Sequence, residues 1–275
     1  MTGRRSPQRP YRTQIVRESS SDGDADHAVF DRVVGEYART RPDYPEAALD
    51  WIARETGLEP GADVLDLAAG TGKLTRSLAA REYRLIAVEP LPGMRARLVH
   101  DLPGVRVLDG KAEQIPLGDG SLDAVLVGQA FHWFEPYAAL DEIARVLRPG
   151  GWLVLLWNLW DLDDPMQAAL DRIIAPLATG RIRVLTTGSH PYGEWPGALA
   201  ADDRFEAAAQ ARFTHHVELD AVATGERVAT ASQVQSAAAA ERDAAIAAAH
   251  ALVARMPCGR ATFRYQTEID LVRRH

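Results

Sequence analysis

The stretch Val64-Leu65-Asp66-Leu67-Ala68-Ala69-Gly70-Thr71-Gly72-Lys73-Leu74 decides the fold of this 275-residue chain. An apolar run with a β-branched start meets a turn of small residues, and a helical pattern begins at Leu74. A second apolar run ends at the acid Glu89. Small residues let the backbone approach a ligand closely, and a helix N-terminus favours negative charge. Because an acid at the tip of the second strand suits hydrogen bonds to ribose hydroxyls, we expect a ligand that carries a nucleoside.

Three nucleotide-binding patterns compete for this stretch. A phosphate-binding loop needs G-x-x-x-x-G-K-[ST], but Leu67 replaces the first glycine and Leu74 replaces the hydroxyl residue. A dinucleotide fold needs G-x-G-x-x-G, and Thr75 stands at the third glycine when the motif is counted from Gly70. The third pattern is acid-x-G-x-G-x-G, which starts at Asp66 and departs at one position. The third pattern therefore fits best.

This third pattern, read as Asp66-x-Ala68-x-Gly70-x-Gly72, resembles motif I of the class I S-adenosyl-L-methionine (SAM)-dependent methyltransferases. The resemblance covers most of the chain from about residue 30 onward and favours the small-molecule type, similar to the trans-aconitate methyltransferases. The family usually has glycine where this chain has Ala68. A methyl group narrows the backbone conformations at that position, so we expect Ala68 to alter the loop geometry but not the strand–turn–helix arrangement.

The composition narrows the class of protein. Hydrophobic residues make up 47% of the chain, which is enough for the core of one large α/β domain. The net charge of -7 argues against a general nucleic-acid binder. The single cysteine, Cys258, excludes an internal disulfide and suits a reducing cytoplasm, which is the expected location. No apolar run approaches the roughly 18 residues of a membrane span.

Alternating strand and helix patterns predict the fold class. Residues 1–26 are rich in Arg, Ser and Asp and predict a disordered tail before a domain over residues 27–275. We expect an α/β domain with a Rossmann-like, seven-stranded, mainly parallel sheet, an antiparallel closing strand and helices on both faces. An Ala-rich stretch, about residues 221–259, predicts a helical insert near the C-terminus that is either a packing pair or a lid. The predicted strands are Asp63–Leu67, Arg84–Glu89, Val105–Leu108, Leu122–Val127, Trp152–Trp157, 206–217 and 262–272.

The resemblance implies SAM as the cofactor and assigns residues to it. The glycine-rich turn is expected to face the methionyl part and Glu89 the ribose. Ala112 and Glu113 lie between the third and fourth strands, in the segment that resembles the family's adenine-edge region. Arg41 either faces the methionyl carboxylate or belongs to an amphipathic cap on the sheet. The expected cofactor-binding residues are Asp66, Ala68, Gly70, Thr71, Gly72, Glu89, Pro90, Met94, Ala112, Glu113, Gln129 and Arg41.

An aromatic segment, Gln129-Ala130-Phe131-His132-Trp133-Phe134, follows the fourth strand. Ligands of open α/β sheets lie outside the carboxyl ends of the strands, so we place the methyl acceptor here. His132 is the candidate catalytic base or orienting group. Ordinary aromatic packing is the alternative, and it is favoured for Phe131 taken alone. The expected substrate pocket consists of Phe131, His132, Trp133 and Tyr37.

No spacing of histidines and acids indicates a metal site. The predicted loop from Gly188 to Pro196 contains His190, Tyr192 and Trp195, but His190 has no partners at metal-ligand spacing. The adjacent His215 and His216 point to opposite faces of a predicted strand, so they cannot share one metal ion.

The function that the resemblance implies is transfer of a methyl group from SAM to a small organic acceptor by in-line displacement. The leaving group is a neutral thioether, so positioning matters more than a strong base. Nucleic-acid amino-methyltransferases typically carry [DNS]-P-P-[FYW] after the fourth strand, which is absent here, so the expected partner is a small molecule and not a nucleic acid. The alternatives are a protein methyltransferase, a non-catalytic SAM-binding module and a nicotinamide oxidoreductase, the last disfavoured by the missing third glycine.

Overall fold

The computed structural model describes residues 34–178 and 195–275. The predicted tail, His190 and Tyr192 lie outside the described residues. The strands are β1 Asp63–Leu67, β2 Arg84–Val88, β3 Arg106–Leu108, β4 Leu122–Gly128, β5 Leu147–Trp160, β6 Phe205–Asp220 and β7 Arg260–Arg274. The α-helices are α1 Val34–Thr40, α2 Glu46–Thr56, α3 Lys73–Ala79, α4 Pro92–Asp101, α5 Pro136–Val146, α6 Pro165–Ile174, α7 Trp195–Ala200, α8 Ala221–Ala229, α9 Ser232–Gln235 and α10 Ala239–Ala254.

The seven strands form one sheet in the order β3-β2-β1-β4-β5-β7-β6. Strands β1 to β5 pair in parallel, and β7 runs antiparallel to both of its neighbours. The predicted Rossmann-like sheet with an antiparallel closing strand is therefore confirmed. The chain crosses from β3 back to β4 on the other side of β1, which creates a topological switch point between β1 and β4.

Alternation along the strands fills a core on each face of the sheet. In β4, Val125 and Val127 belong to the core that includes α5, whereas Ala124 and Leu126 belong to the core that includes α2 and α3. Side chains of a strand point alternately to the two faces, so a continuous apolar run such as this one buries both. Helices therefore cover both faces, as predicted.

The fifth strand begins earlier than the predicted start at Trp152. Its pairing with β4 joins Leu122 to Leu147 and then Ala124 to Trp152, so the intervening residues bulge out of the ladder. Gly150 adopts a left-handed φ of 79° within this bulge. Pro149-Gly150-Gly151 thus interrupts a strand that has already started at Leu147.

Strands β6 and β7 are longer than predicted and extend the sheet past the parallel strands. They pair from Phe205 with Arg274 to Asp220 with Arg260, with one irregularity near Ala207. Helices α8, α9 and α10 lie between them in sequence and bury a separate apolar core against Phe263 and Tyr265. Among the helices of the described ranges, none has the length and apolar character needed to cross a bilayer.

Gly72 couples the first loop to helix α4. Its φ is 84°, and an added Cβ would lie 3.0 Å from Leu98 Cγ. Gly57 also has a left-handed φ, of 68°, but no atom lies within 4 Å of a Cβ added there. Substitution of Gly57 therefore measures the cost of backbone strain without a steric clash. We expect Gly72→Ala to lower the free energy of unfolding by about 2–3 kcal/mol and Gly57→Ala by only about 1 kcal/mol, as measured by chemical denaturation. Equal losses would show that the close approach to α4 is unimportant.

Candidate cofactor and acceptor site

The candidate site lies where the parallel strands end, around the switch point. The loops after β1, β2 and β4 begin at Ala68, Glu89 and Gln129. In open α/β sheets ligands bind in the crevice outside these carboxyl ends. The topology therefore brings together three segments that the sequence assigned to the cofactor and the acceptor.

The glycine-rich loop after β1 turns by left-handed backbone conformations. Gly70 and Gly72 have φ values of 59° and 84°, and Met94 Sδ would lie 3.5 Å from a Cβ on Gly70. Ala68 also adopts a positive φ, of 58°. The family's usual glycine would take this conformation without a steric cost, whereas an L-residue with a Cβ pays roughly 1–2 kcal/mol for it. The loop keeps its strand–turn–helix arrangement despite the alanine.

The Glu89 carboxylate fastens this loop to the end of β2. Its Oε2 accepts a hydrogen bond from the Gly70 N–H at 2.7 Å, and its Oε1 accepts one from the Leu91 N–H at 2.9 Å. Glu89 is only 3% exposed. A carboxylate has about four lone-pair sites, so it can accept several hydrogen bonds at once.

The Asp66 side chain points into the protein interior and not toward the open side of the glycine-rich loop. Its Oδ2 accepts a hydrogen bond from Thr75 Oγ1 at 2.5 Å, and the residue is 1% exposed. Burial raises the pKa of Asp66 to about 7, the hydrogen bond from Thr75 opposes this rise, and the nearby Glu89 charge adds to it. Asp66 therefore ties β1 to the first turn of α3. Sequence reasoning missed Thr75, although its place nine residues after the acid, in the first turn of a predicted helix, was available as a signal.

The residues assigned to the ribose and adenine region are spread over two loops. Met94 is buried behind Gly70, and the Ala112 side chain lies in the core. The Pro90 carbonyl accepts a hydrogen bond from Arg95 at 2.9 Å. The Glu113 carboxylate accepts the Glu135 N–H at 2.8 Å, so it connects the loops after β3 and β4.

Arg95 is a residue that sequence reasoning missed. Its Nη1 also donates to the Glu89 carbonyl at 2.7 Å and lies 3.1 Å from Asp109 Oδ1. Arg95 thereby joins the loops after β2 and β3. An arginine in the first turn of the helix that follows the acidic strand tip was a readable position, but its contacts depend on the third strand.

The segment before α2 lies across the site and contacts several of its loops. Asp43 pairs with Lys73 at 3.0 Å. A Cβ built on Gly128 would lie 2.5 Å from the Tyr44 hydroxyl, so only glycine permits this approach at the end of β4. Arg41 Nη2 donates to the Thr230 carbonyl of the insert at 2.6 Å. The structure thus directs this Arg41 nitrogen to the insert, while the predicted methionyl contact stays a prediction.

A buried polar network supports the loop after β4. Gln129 has a left-handed φ of 60° and donates from Nε2 to the Asn158 carbonyl at 2.9 Å. The Asn158 side chain accepts from Thr267 Oγ1 at 2.5 Å and donates to the Asp43 carbonyl at 3.3 Å. Gln129 therefore contacts the last residues of β5 rather than continuing strand β4.

The aromatic segment after β4 divides into buried and partly exposed side chains. Residues Phe131–Trp133 form a single 3-10 turn. Phe131 is fully buried and packs against Trp195 at a centroid distance of 5.4 Å. Burial of this ring agrees with the packing role that was favoured for Phe131 taken alone, and its assignment to the substrate pocket stays a prediction.

His132 and Trp133 remain candidates for the acceptor pocket. The His132 ring lies between Trp133, at 4.9 Å, and Trp157, at 5.4 Å, and is partly exposed. The backbone of Tyr37 lies in α1, while its side chain is outside the described part of the chain. His215 is partly buried against Tyr265 and His216 is exposed, which confirms that the two point to opposite faces.

The residues of the first loop fit an adenosyl ligand. Thr71 is 3% exposed, and its Oγ1 is buried with no hydrogen-bond partner among the described residues. A buried hydroxyl without a partner costs free energy that a polar ligand group would recover. Together with the glycine backbone and the Glu89 carboxylate, it defines a Rossmann-like protein of the nucleoside-binding class.

Comparison with known proteins identifies the family. A family model described as a methyltransferase domain matches residues 65–155. A protein of Mycobacterium tuberculosis described as an uncharacterized methyltransferase is 51% identical over 132 residues, which cover 48% of this chain and 53% of that protein. The chain thus spans about half the length of this relative. A demethylmenaquinone methyltransferase of Beutenbergia cavernae is 35% identical over 184 residues, which cover 62% of this chain and 76% of that protein.

The fold agrees with these sequence matches. The solved structure of an Anaeromyxobacter dehalogenans protein described as a type II methyltransferase aligns with a TM-score of 0.62 at 24% identity, covering 85% of this chain and 97% of that chain. At this identity the likeness concerns the fold alone. The chain belongs to the class I SAM-dependent methyltransferases, and the resemblance read from motif I is confirmed.

The buried Asp66 predicts an unusual dependence of stability on pH. The unfolded chain loses this proton near pH 4 and the folded protein near pH 7, so stability from Asp66 falls as the pH rises between these values. Near pH 4 we expect Asp66→Asn and wild type to unfold at the same temperature. Above pH 7 we expect the free energy of unfolding of Asp66→Asn to exceed that of wild type by at most about 4 kcal/mol.

Asp63 provides a control of opposite sign for this experiment. A hydrogen bond from Arg84 lowers the pKa of Asp63 to about 2, so its stabilisation is present above pH 4 and is lost as the pH falls toward 2. Asp63→Asn should therefore lose stability at neutral pH. A pH-independent difference between Asp66→Asn and wild type would contradict the raised pKa of Asp66.

Proposed function

We propose that this protein transfers a methyl group from SAM to a small organic acceptor by in-line displacement. The observation that carries the proposal is the contact of the Glu89 carboxylate with the Gly70 N–H at 2.7 Å. The contact supports the proposal because an acid at the end of the second strand, beside a loop of low steric bulk, suits hydrogen bonds to ribose hydroxyls. Membership of the methyltransferase family supplies the rest of the argument.

The chain's own residues would hold the cofactor by backbone, hydroxyl and carboxylate contacts. Glu89 accepts hydrogen bonds from ribose hydroxyls, and Thr71 Oγ1 satisfies a polar group of the ligand. The backbone of Gly70 and Gly72 permits a close approach, because no Cβ intervenes. When bound, SAM supplies an activated methyl group whose bond to sulfur breaks with its electron pair, leaving a neutral thioether, as an acceptor lone pair forms the new bond.

The residues after β4 would position the acceptor. His132, held between two indole rings, receives the proton of an acceptor that must lose one, or orients an acceptor that is already ionised. Trp133 and Trp157 keep water away from the reacting atoms. Helix α8 approaches α1 through Arg39 and Glu226, which favours an enclosed chamber for a small molecule over an open groove for a peptide.

The named function of one relative also supports a small acceptor. The Beutenbergia cavernae protein is described as acting on demethylmenaquinone, a small organic molecule. Demethylmenaquinone is the substrate of that protein, and the acceptor of this chain depends on its own insert and loop residues.

Label transfer from methyl-labelled SAM into a metabolite extract, followed by mass spectrometry of the labelled product, identifies the acceptor directly. Label appearing only in protein would favour a protein methyltransferase instead.

Cofactor choice is tested by calorimetric titration with SAM, its demethylated product and NAD. We expect SAM and its product to bind and NAD not to bind.

Glu89→Gln should weaken SAM binding by roughly 10- to 100-fold, because it removes charge-assisted hydrogen bonds. Glu82→Gln changes an exposed acid just before the same strand and should bind SAM as wild type does. Unchanged affinity in a folded Glu89→Gln protein would contradict the assignment.

The role of His132 is tested by turnover once an acceptor is known. We expect His132→Ala to lower kcat by about 100-fold while SAM affinity stays unchanged, because positioned acid–base groups typically contribute this much. His216→Ala, in an exposed position on β6, is the matched control. If His132→Ala keeps the wild-type kcat, His132 takes no part in the reaction and only packs against its neighbours.

A further inference from the structure

The insert contains a buried arginine whose charge is not matched by an acid. Arg227 lies in α8 and is 3% exposed. Its Nε is buried without a hydrogen-bond partner, and no carboxylate pairs with its guanidinium among residues 34–178 and 195–275. The guanidinium carbon lies 5.5 Å from the centre of the Trp160 ring.

This arrangement differs from that of other partly buried arginines in the protein. Arg145 is bonded to Glu142, Arg204 to Asp202, and Arg264 to Asp161. Removing a cation from water is costly unless an anion compensates it. A cation–π contact is weak compared with an ion pair, so the Trp160 ring offsets only part of the cost. Arg227 is therefore left with donors that an anionic group would satisfy.

Arg227 lies on the ligand side of the sheet. Trp160 ends β5, four residues beyond Leu156, which pairs with Gly128 at the end of β4. At about 3.3 Å per residue, Trp160 stands roughly 13 Å past the edge where the loops gather. It pairs with Tyr265, so the wall under Arg227 is continuous with strand β7.

Helix α8 is also connected to the segment that crosses the cofactor loop. Thr230 Oγ1 donates to the Arg227 carbonyl at 2.8 Å, and the Thr230 carbonyl accepts from Arg41. The residues just after Arg41 reach Lys73 and Gly128. A short chain of contacts therefore runs from Arg227 to the first loop and to the end of β4.

We propose that Arg227 and Trp160 form an oxyanion-binding subsite of the acceptor chamber, so that the methyl acceptor carries a carboxylate or a phosphate. The guanidinium fork matches the paired oxygens of either group, and the indole ring holds the guanidinium plane. A cationic acceptor is excluded by the same charge. The inference rests on the proposed function, whose acceptor class it specifies.

Movement of α8 away from α1 is the route of entry that this proposal implies. The Arg39–Glu226 ion pair is among the contacts that join these helices, and it lies at the surface with the Arg39 side chain 55% exposed. Exposed ion pairs contribute little to stability, so this contact opens at small cost. The α8–α1 contact therefore covers the proposed subsite without blocking entry of an acceptor.

The ligand-free protein offers a first test that needs no known acceptor. Arg227→Met keeps the apolar stem and removes the charge, and Arg255→Met makes the same change at an exposed position of the insert. Melting temperatures are measured with sodium citrate, sodium phosphate, and sodium chloride at equal ionic strength. We expect citrate or phosphate to raise the melting temperature of wild type and of Arg255→Met more than that of Arg227→Met. Without these anions, Arg227→Met should melt at a temperature no lower than that of wild type. The better of the two anions distinguishes a carboxylate from a phosphate site.

Two outcomes of this test overturn the inference. Equal stabilisation of all three proteins would mean that the anions act only as excluded co-solutes. A large loss of stability in Arg227→Met without anion, with Arg255→Met unaffected, would mean that the arginine is a structural element of α8.

Turnover provides the second test. Methyl-labelled SAM is offered with a panel of carboxylates and phosphomonoesters and with their neutral amide or alcohol analogues. For the accepted anion we expect Arg227→Met to raise KM by roughly 30-fold or more while leaving the Kd for SAM unchanged. Preference for a neutral acceptor, with KM unchanged in Arg227→Met, would overturn the inference but keep the proposed function. Loss of SAM binding in wild type would instead overturn the proposed function.

Discussion

The hydrogen bond from the Gly70 N–H to the Glu89 carboxylate fixes the part of the molecule on which the site depends. It joins the loop after β1 to the end of β2, and these two strands are neighbours in the sheet. The same carboxylate holds the Leu91 N–H and so sets the start of α4, whose Leu98 lies against Gly72. One buried acid therefore determines the spacing between a glycine-rich loop and the helix behind it.

Two buried acids lie close together at this end of the sheet. Asp66 keeps its proton to near neutral pH because it is buried and because the Glu89 charge is near. A site with one ionised and one protonated carboxyl avoids direct repulsion, and a positively charged ligand relieves the remaining negative charge. In the proposed acceptor subsite, Arg227 provides the opposite sign. The two proposals together give the site negative charge on the side of the cationic cofactor and positive charge on the side of an anionic acceptor.

The sequence was sufficient for the sheet and for the loops at its carboxyl ends, because each depends on local signals. Apolar runs, small-residue turns and the acid at Glu89 are read within a few residues of each other. Contacts between distant segments were not readable: the Thr230 carbonyl that receives Arg41, and Trp160 beneath Arg227, are set by how the insert packs. The role of Phe131 was not readable either, because aromatic residues after a strand line a pocket or fill a core with the same sequence pattern.

The position of β7 between β5 and β6 has a consequence for synthesis of the chain. Strand β6 leaves the ribosome before β7, and among the strands of the described residues it pairs with β7 alone. Until residues 260–274 emerge, the edge of β5 is uncovered and β6 has no ladder to join. Folding of this half of the sheet must therefore wait for the last strand, and the nascent chain exposes an unpaired strand edge, a known route to aggregation, for longer than a sheet built in sequence order would.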